Sequence, residues 1–370
     1  MKTSTSKRLR WNVAIWLAAG LFMTGASGMA SGPIMPDPKA EARHQPQVEE
    51  TANGIPLVNI TAPSSGGVSR NEYETFNVPD KGAILNNSYT LSKTELAGYV
   101  QGNNNMAERP AKIIVNEVTG AGPTSMDGFL EVAGNRADVV IANPNGITVN
   151  GGGFINTGKA FLTTGKPVYD GEDHLQRFDI TGGDILIEGK GLGGKETGSL
   201  AILSRAVKIN AGIWAKDLHI TTGANTVDAK TLEASAIEGK GGRPAFALDT
   251  AAIGGMYAGR ITLVGTEKGL GVNNSGAWSA EDNLTLDWNG DLKNSGTIYS
   301  KGNTDLRASR LENDKTIAAE RNLSAAAKEN IRNQGKLLAG ENMGIYAGKT
   351  LDNAGHAMES RNNLSIETGD

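Results

Sequence analysis

The chain of 370 residues contains no cysteine, and aromatic residues make up only 5% of it. A disulfide framework is therefore excluded, and with it the stapled small domains common outside the cell. It also lacks a surplus of basic charge. Lys and Arg number 36 against 40 Asp and Glu, a formal net charge of −4, so nothing favours a nucleic-acid backbone as partner. The four histidines, His44, His174, His219 and His356, are scattered, and no metal-ligand spacing links them. Neither a metal nor a cofactor is expected. What the chain does have is glycine, 49 residues of it, which calls for many turns and a small-residue interior.

The N-terminus reads as an address. Lys2, Lys7, Arg8 and Arg10 precede an apolar run over residues 11–23, and small residues follow, with cleavage after Ala30 or Ala26. This is the pattern of a secretory signal peptide, residues 1–30. The run falls short of the ~20 residues a membrane span needs, so no transmembrane segment is expected after its removal. Residues 31–53 are rich in Pro, charge and Gln and read as a flexible linker.

Residues 111–164 carry short runs of β-formers separated by tight turns. Ile113, Ile114 and Val115 form one run, Phe129 to Val132 another, and Val139 to Ile141 a third. Such runs, bounded by Gly, Asn and Pro, read as strands. Asn143, Pro144, Asn145 and Gly146 form a turn on local chemistry alone, because Pro presets φ and Asn and Gly tolerate positive φ. Gln101 to Met106 is a second loop. Residues 166–179 are polar and read as an excursion from the main body. An early strand is expected over residues 73–78.

The last hundred residues repeat. An apolar-x-Asn pattern places Asn274, Asn294, Asn313, Asn333 and Asn353 at spacings of 20, 19, 20 and 20. A second anchor, at Asn283, Asn303, Asn322, Asn342 and Asn362, keeps the same register. A period near twenty with alternating apolar residues is the mark of a β-solenoid. One coil cannot bury its inward side alone, whereas coils stacked about 4.8 Å apart pair their backbones and share a core. Asparagines at one corner of successive coils can form amide ladders. The expected fold is all-β, a parallel β-helix. The array reaches Asp370 without an evident cap, so a longer array is expected.

Other motifs carry less. Residues 189–194 satisfy GxGxxG, but no helix follows them, and a nucleotide site needs a helix N-terminus. Gly348-Lys349-Thr350 echoes a P-loop but lies inside a repeat. Asp170, Glu172 and Asp173 read as a solvated acidic loop ahead of a cation site. Some β-helices are polysaccharide lyases. Here the acids Asp314, Glu320, Glu329, Glu341 and Asp352 fall at varying repeat positions, so that reading ranks last and no enzyme is expected.

A longer ordered string is more specific than any single turn. It contains Asn116-Glu117-Val118-Thr119, Gly128-Phe129-Leu130-Glu131-Val132, Ala142-Asn143-Pro144-Asn145-Gly146-Ile147 and Gly153-Phe154-Ile155-Asn156-Thr157. Leu203-Ser204-Arg205-Ala206-Val207 and Gly254-Gly255-Met256-Tyr257-Ala258-Gly259 follow. From about residue 54 to 276 the chain resembles the secretion domain of the two-partner secretion family, the filamentous haemagglutinin-like and contact-dependent inhibition exoproteins. The resemblance implies a right-handed parallel β-helix with an N-terminal cap and extra-helical β-hairpins, as a secretion domain over residues 54–270, with haemagglutinin-type repeats starting over residues 271–370. It implies export by the Sec machinery and then passage through a partner outer-membrane barrel transporter with periplasmic domains, ending at the cell surface of a Gram-negative bacterium. The exported protein would serve adhesion, with a host-cell receptor, or act as the stalk of a growth-inhibition toxin aimed at a neighbouring bacterium. The transporter-recognition and folding turns it implies are Asn103, Asn104, Asn105 and Met106, then Asn116 and Glu117, then Asn143, Pro144, Asn145, Gly146 and Ile147. Relatives usually carry Pro where Asn104 stands, and a Cys pair where this chain has Val149 and Gly152.

Overall fold

The computed structural model describes residues 32–107, 109–355 and 357–369. The signal-peptide segment and His356 lie outside the described residues. Within them the chain is strand and turn, with two short 3-10 turns, Ala42–His44 and Asn104–Met106, and no α-helix.

Each coil of the C-terminal repeats contributes three short strands. One stack of ten runs in strict chain order, from Thr124–Met126 through Ile147–Val149, Asp184–Ile187 and Ala206–Ile209 to Leu351–Asp352. All its ladders are parallel. Strands that pair in parallel with the equivalent strand one coil later define a parallel β-helix. Ten rungs at about 4.8 Å span about 43 Å. Inward positions line up rung upon rung: Leu292, Leu311 and Ile331 form one buried column, and Trp278, Ile298, Ile317 and Leu337 another. Alternation along each strand puts these side chains in the core and their neighbours outside. Two tryptophans share one coil. Trp278 Nε1 donates to Thr250 Oγ1 (3.0 Å) and Trp288 Nε1 to the Leu270 carbonyl (2.8 Å), as buried indoles require. Room for Trp288 comes from Gly265 on the rung below, where a Cβ would stand 2.3 Å from the indole.

The asparagine ladders are present, with one shift of register. Asn274, Asn294, Asn313 and Asn333 each donate Nδ2 to the Oδ1 of the next coil's asparagine at 2.6–2.8 Å. The second ladder runs the other way, Asn322 donating to Asn303 (2.9 Å) and Asn342 to Asn322 (2.8 Å). Its last member is Asn363, which donates to Asn342 (3.1 Å), and not Asn362. The final coil carries one extra residue between Asn353 and Met358, since Met358 pairs with Leu337 at a spacing of 21. Counting forward from the previous anchor misses that insertion.

Residues 34–50 correct the linker expectation. Ile34–Pro36 pairs antiparallel with Val68–Phe76, and Gln47–Glu50 pairs antiparallel with Pro56–Asn59. These strands cover the first coil, with Ile34 buried and Val48 packed on the core. Two backbone ladders, two apolar residues and the polar contacts of Arg43 and His44 seat the segment, although its composition resembles that of a disordered chain. Its one histidine, His44, is buried too.

Two excursions leave the helix. Ser92–Thr94 and Gly98–Val100 form a hairpin. Lys166–Tyr169 and Leu175–Ile180 form another, extended by Asn225–Asp228 and Ala234–Ala236 into a four-stranded antiparallel sheet. That sheet encloses a second core on the outer side of the helix, with Val115, Val140, Phe161, Phe178, Leu203 and Val227.

Candidate functional site

The residues singled out in the sequence fall into two regions. Asn103 is buried and caps the 3-10 turn Asn104–Met106, accepting from the Asn105 N–H (3.0 Å). Its Nδ2 donates to the carbonyls of Ile60 (2.9 Å) and Asn86 (3.0 Å). Met106 is buried in the core, and Asn105 Nδ2 also reaches the Ile60 carbonyl (3.1 Å). Asn104 alone is exposed.

Asn105 lines a polar cleft of about 410 Å³ with Arg43, His44, Arg70 and Asp173. Glu117 stands beside the same Arg70. Strands Val68–Phe76 and Ile113–Val118 pair Glu72 with Glu117 on adjacent rungs. Arg70 lies between their carboxylates, 2.8 Å from Glu72 and 3.5 Å from Glu117. His44 Nδ1 approaches Glu72 at 3.0 Å, and the Arg70 guanidinium sits 4.5 Å above the Tyr169 ring. Arg43 reaches across to Asp173 on the excursion hairpin (2.7 Å). Burial pushes the Glu117 carboxyl up against the opposing pull of Arg70, and burial helped by Arg70 holds His44 below its ordinary value. The cluster thus ties three segments together: the N-terminal cap, the first coils and the hairpin. Asn116, next to Glu117, faces the other way, accepting from the Tyr73 hydroxyl (3.0 Å) and donating to the Val140 carbonyl (3.1 Å).

The second region is the turn at residues 143–147. Asn143 is fully buried and donates to the Gly122 carbonyl and to Thr124 Oγ1, both at 3.0 Å, while its Oδ1 accepts from the Asn145 N–H (2.9 Å). Asn145 Nδ2 donates to the Gly120 carbonyl (2.8 Å). Gly146 takes a φ of 110°, and Ile147 enters the core. Pro144 and Asn145 are exposed. Asn145, Gly146 and Ile147 line a groove of about 560 Å³ with Asp184, Arg205 and Lys240. Arg205 is pinned there by Glu267 (2.9 Å) and the Lys240 carbonyl (2.7 Å).

Sequence reasoning missed Arg70, Glu72, His44 and Tyr169. The signal for the first two was available: Arg70 and Glu72 stand two apart on one strand and so share a face, but the early strand was expected to begin only at Tyr73. The glycine motif at 189–194 leads into strand Leu192–Gly194 and then Ser199–Ser204, with no helix to hold a phosphate. Asp170, Glu172 and Asp173 occupy a hairpin turn, where Asp170 accepts from the backbone of Glu172 and His174.

The backbone trace matches the solved secretion domain of filamentous haemagglutinin. The TM-score is 0.64 at 27% sequence identity, covering 92% of this chain and all of that one. Among curated proteins, the chain is 42% identical over 298 residues to Toxin CdiA of Yersinia pestis, covering 74% of this chain and 9% of that protein. It is 39% identical over 343 residues to the 16S rRNA endonuclease CdiA of Enterobacter cloacae subsp. cloacae, covering 91% of this chain and 10% of that protein. The chain therefore spans about a tenth of the length of the curated relatives it matches. The haemagglutinin repeat model matches residues 299–370. The TPS secretion domain model matches residues 33–298, most of the described structure, and with the shared β-helix this makes the chain a member of the two-partner secretion family of exoproteins.

Proposed function

We propose that residues 33–298 direct this protein through a partner outer-membrane barrel transporter and nucleate the β-helix that grows behind them. Family membership makes it a secreted, surface-exposed protein of a Gram-negative bacterium. The single observation that supports the nucleating role is the closed first end of the stack, where antiparallel strands cover the first coil and leave growth to one direction. Each coil that folds outside buries apolar area, at about 25 cal/mol per Å², and offers its edge to the next coil. Folding outside would then draw the chain outward. The exposed residues Asn104, Pro144 and Asn145 supply the contact with the transporter's periplasmic domains, and their buried neighbours shape the turns.

For the exported rod we favour the stalk of a contact-dependent growth-inhibition toxin over an adhesin. Of the relatives that match at 39–42% identity, one is named a toxin and one a 16S rRNA endonuclease, whereas the haemagglutinin domain matches at 27%. The residues in hand form scaffold, and a toxin would follow them in the longer protein.

The test is export in a Gram-negative host with and without the neighbouring transporter gene. Transporter-dependent arrival in the medium is expected. Equal release without the transporter, or periplasmic retention with it, would overturn the proposal. A variable terminal domain and a small immunity gene downstream would separate toxin stalk from adhesin.

A further inference from the structure

One outward column of the helix is built differently from the rest. Reading the parallel register rung by rung, it runs Phe129, Gly153, Gly193, Trp214, Tyr257, Ser279, Tyr299. Phe129 and Tyr257 are exposed, Trp214 is partly so, and the Trp214 and Tyr257 rings stack with centroids 6.1 Å apart. Gly153 and Gly193 occupy the two rungs between Phe129 and Trp214, and the Phe129 ring covers the first, so the open part of the column lies over Gly193. The space between is a slot of about 340 Å³ lined by Phe129, Gly193, Trp214, Lys195 and Glu196, over buried Phe154.

Gly153 has a packing reason: a Cβ there would stand 2.4 Å from the Phe129 ring, which leans over it. Gly193 has none. Its φ lies outside the left-handed region, and a Cβ would meet nothing closer than 3.7 Å. A glycine inside a strand costs stability relative to alanine and often marks the close approach of a ligand. The fold would accept a side chain at this rung, and the position is nevertheless bare.

We propose that the slot between Phe129 and Trp214 is a binding site for a neutral glycan, with one pyranose ring lying over Gly193. A pyranose presents a face of C–H groups, which suits the aromatic walls, and an edge of hydroxyls, which suits one donor and one acceptor at the rim. Lys195 and Glu196 supply that pair and cancel in charge, which disfavours an anion and equally disfavours a quaternary cation, whose aromatic cage would exclude lysine. The volume is at the small end of ligand sites. Tyr257 and Tyr299 continue the column along the helix axis, where a linear chain would extend. This site is separate from the turns assigned to export.

The exported full chain offers a direct readout. Trp278 and Trp288 are buried, so among the described tryptophans Trp214 alone reports on a surface ligand. Titration with maltotetraose and with chitotetraose is expected to give a saturable fluorescence change for at least one of them. Gly193→Val adds two methyls to a Cβ position that meets nothing closer than 3.7 Å, and is expected to abolish the change while leaving circular dichroism and export intact. Phe129→Ala is expected to weaken binding at least tenfold. No response to either sugar, or undiminished binding by the correctly folded Gly193→Val chain, would overturn the site. An aromatic peptide binding there in place of both sugars would do so as well.

Discussion

Glu72 and Glu117 face each other across adjacent parallel strands, and the Arg70 guanidinium lies between their carboxylates. Like charges directly opposite on one sheet face destabilise it, so this pairing is tolerable only with the cation present. Arg70→Leu leaves two poorly exposed carboxylates unneutralised. Removing one partner of a buried pair costs about 3–5 kcal/mol, and because Arg70 is partly solvated the low end, about 3 kcal/mol, is expected. Urea unfolding would measure it. Adding Glu117→Gln to the Arg70→Leu chain should recover part of the loss, and no recovery would mean that the carboxylate pair is not its source.

Acid should act through a different residue. Burial lowers the His219 pKa to about 4, against 6.5 for the unfolded chain, and its Nε2 pairs with Thr221 Oγ1 (2.9 Å). A group whose folded pKa is depressed binds fewer protons folded than unfolded, so its share of stability is complete above pH 6.5 and falls away between 6.5 and about 4. The loss is about 3 kcal/mol over that window, at 1.36 kcal/mol per unit. His44 is shifted in the same direction and adds to the slope, while Glu117, raised by burial, opposes it at the acid end. His219→Gln should flatten the stability curve between pH 6.5 and 4, and an unchanged slope would remove His219 as its cause.

The asparagine ladders make a graded prediction. Asn313 donates to Asn333 Oδ1 (2.7 Å) and to the Lys336 carbonyl (3.2 Å), and accepts from Asn294 (2.8 Å). Asn313→Ala strands buried polar partners on both sides, at about 1–3 kcal/mol for each group left without a partner. Asn363→Ala, at an exposed end of the other ladder, should cost well under 1 kcal/mol. Denaturant midpoints for the two variants would show whether position in the ladder, and not asparagine as such, sets the cost.

Much of this architecture is legible in the sequence because a solenoid writes its register into a period. Two asparagine anchors, each recurring near twenty residues, locate the corners, and the apolar alternation between them locates the core. The same logic fails wherever one residue is inserted, as at the final coil, where Asn363 takes the place expected of Asn362. It also fails in the cap. Ile34 and Val48 are too few to stand out from the surrounding Pro and charge, and the partner of Ile34, Phe76, is distant in sequence. The Arg70 cluster was legible only in its Arg70–Glu72 pair; its other members come from the cap, a second strand and a hairpin, joined only by the stacking. By contrast, the asparagine turns were visible as turns, but which of their residues face solvent depends on the coil beneath.

That division of labour within the turns gives the most informative export experiment. Asn103 and Asn143 are buried, and each donates two hydrogen bonds and accepts one from the N–H two residues on. Replacing either with Ala should lower stability by about 1–3 kcal/mol and impair export only as far as folding is impaired. Asn104 and Pro144 are exposed. Asn104→Ala should therefore leave the unfolding free energy within about 0.5 kcal/mol of the parent, and Pro144→Ala should lower it by no more than about 1 kcal/mol, through the freer unfolded chain. If these turns touch the transporter, the same two variants should cut transporter-dependent release several-fold, and purified variant chains should bind the transporter's periplasmic domains more weakly. Full export of both, alongside reduced export of the destabilised Asn103 and Asn143 variants, would instead make the turns folding elements and move the recognition surface elsewhere on the first coils.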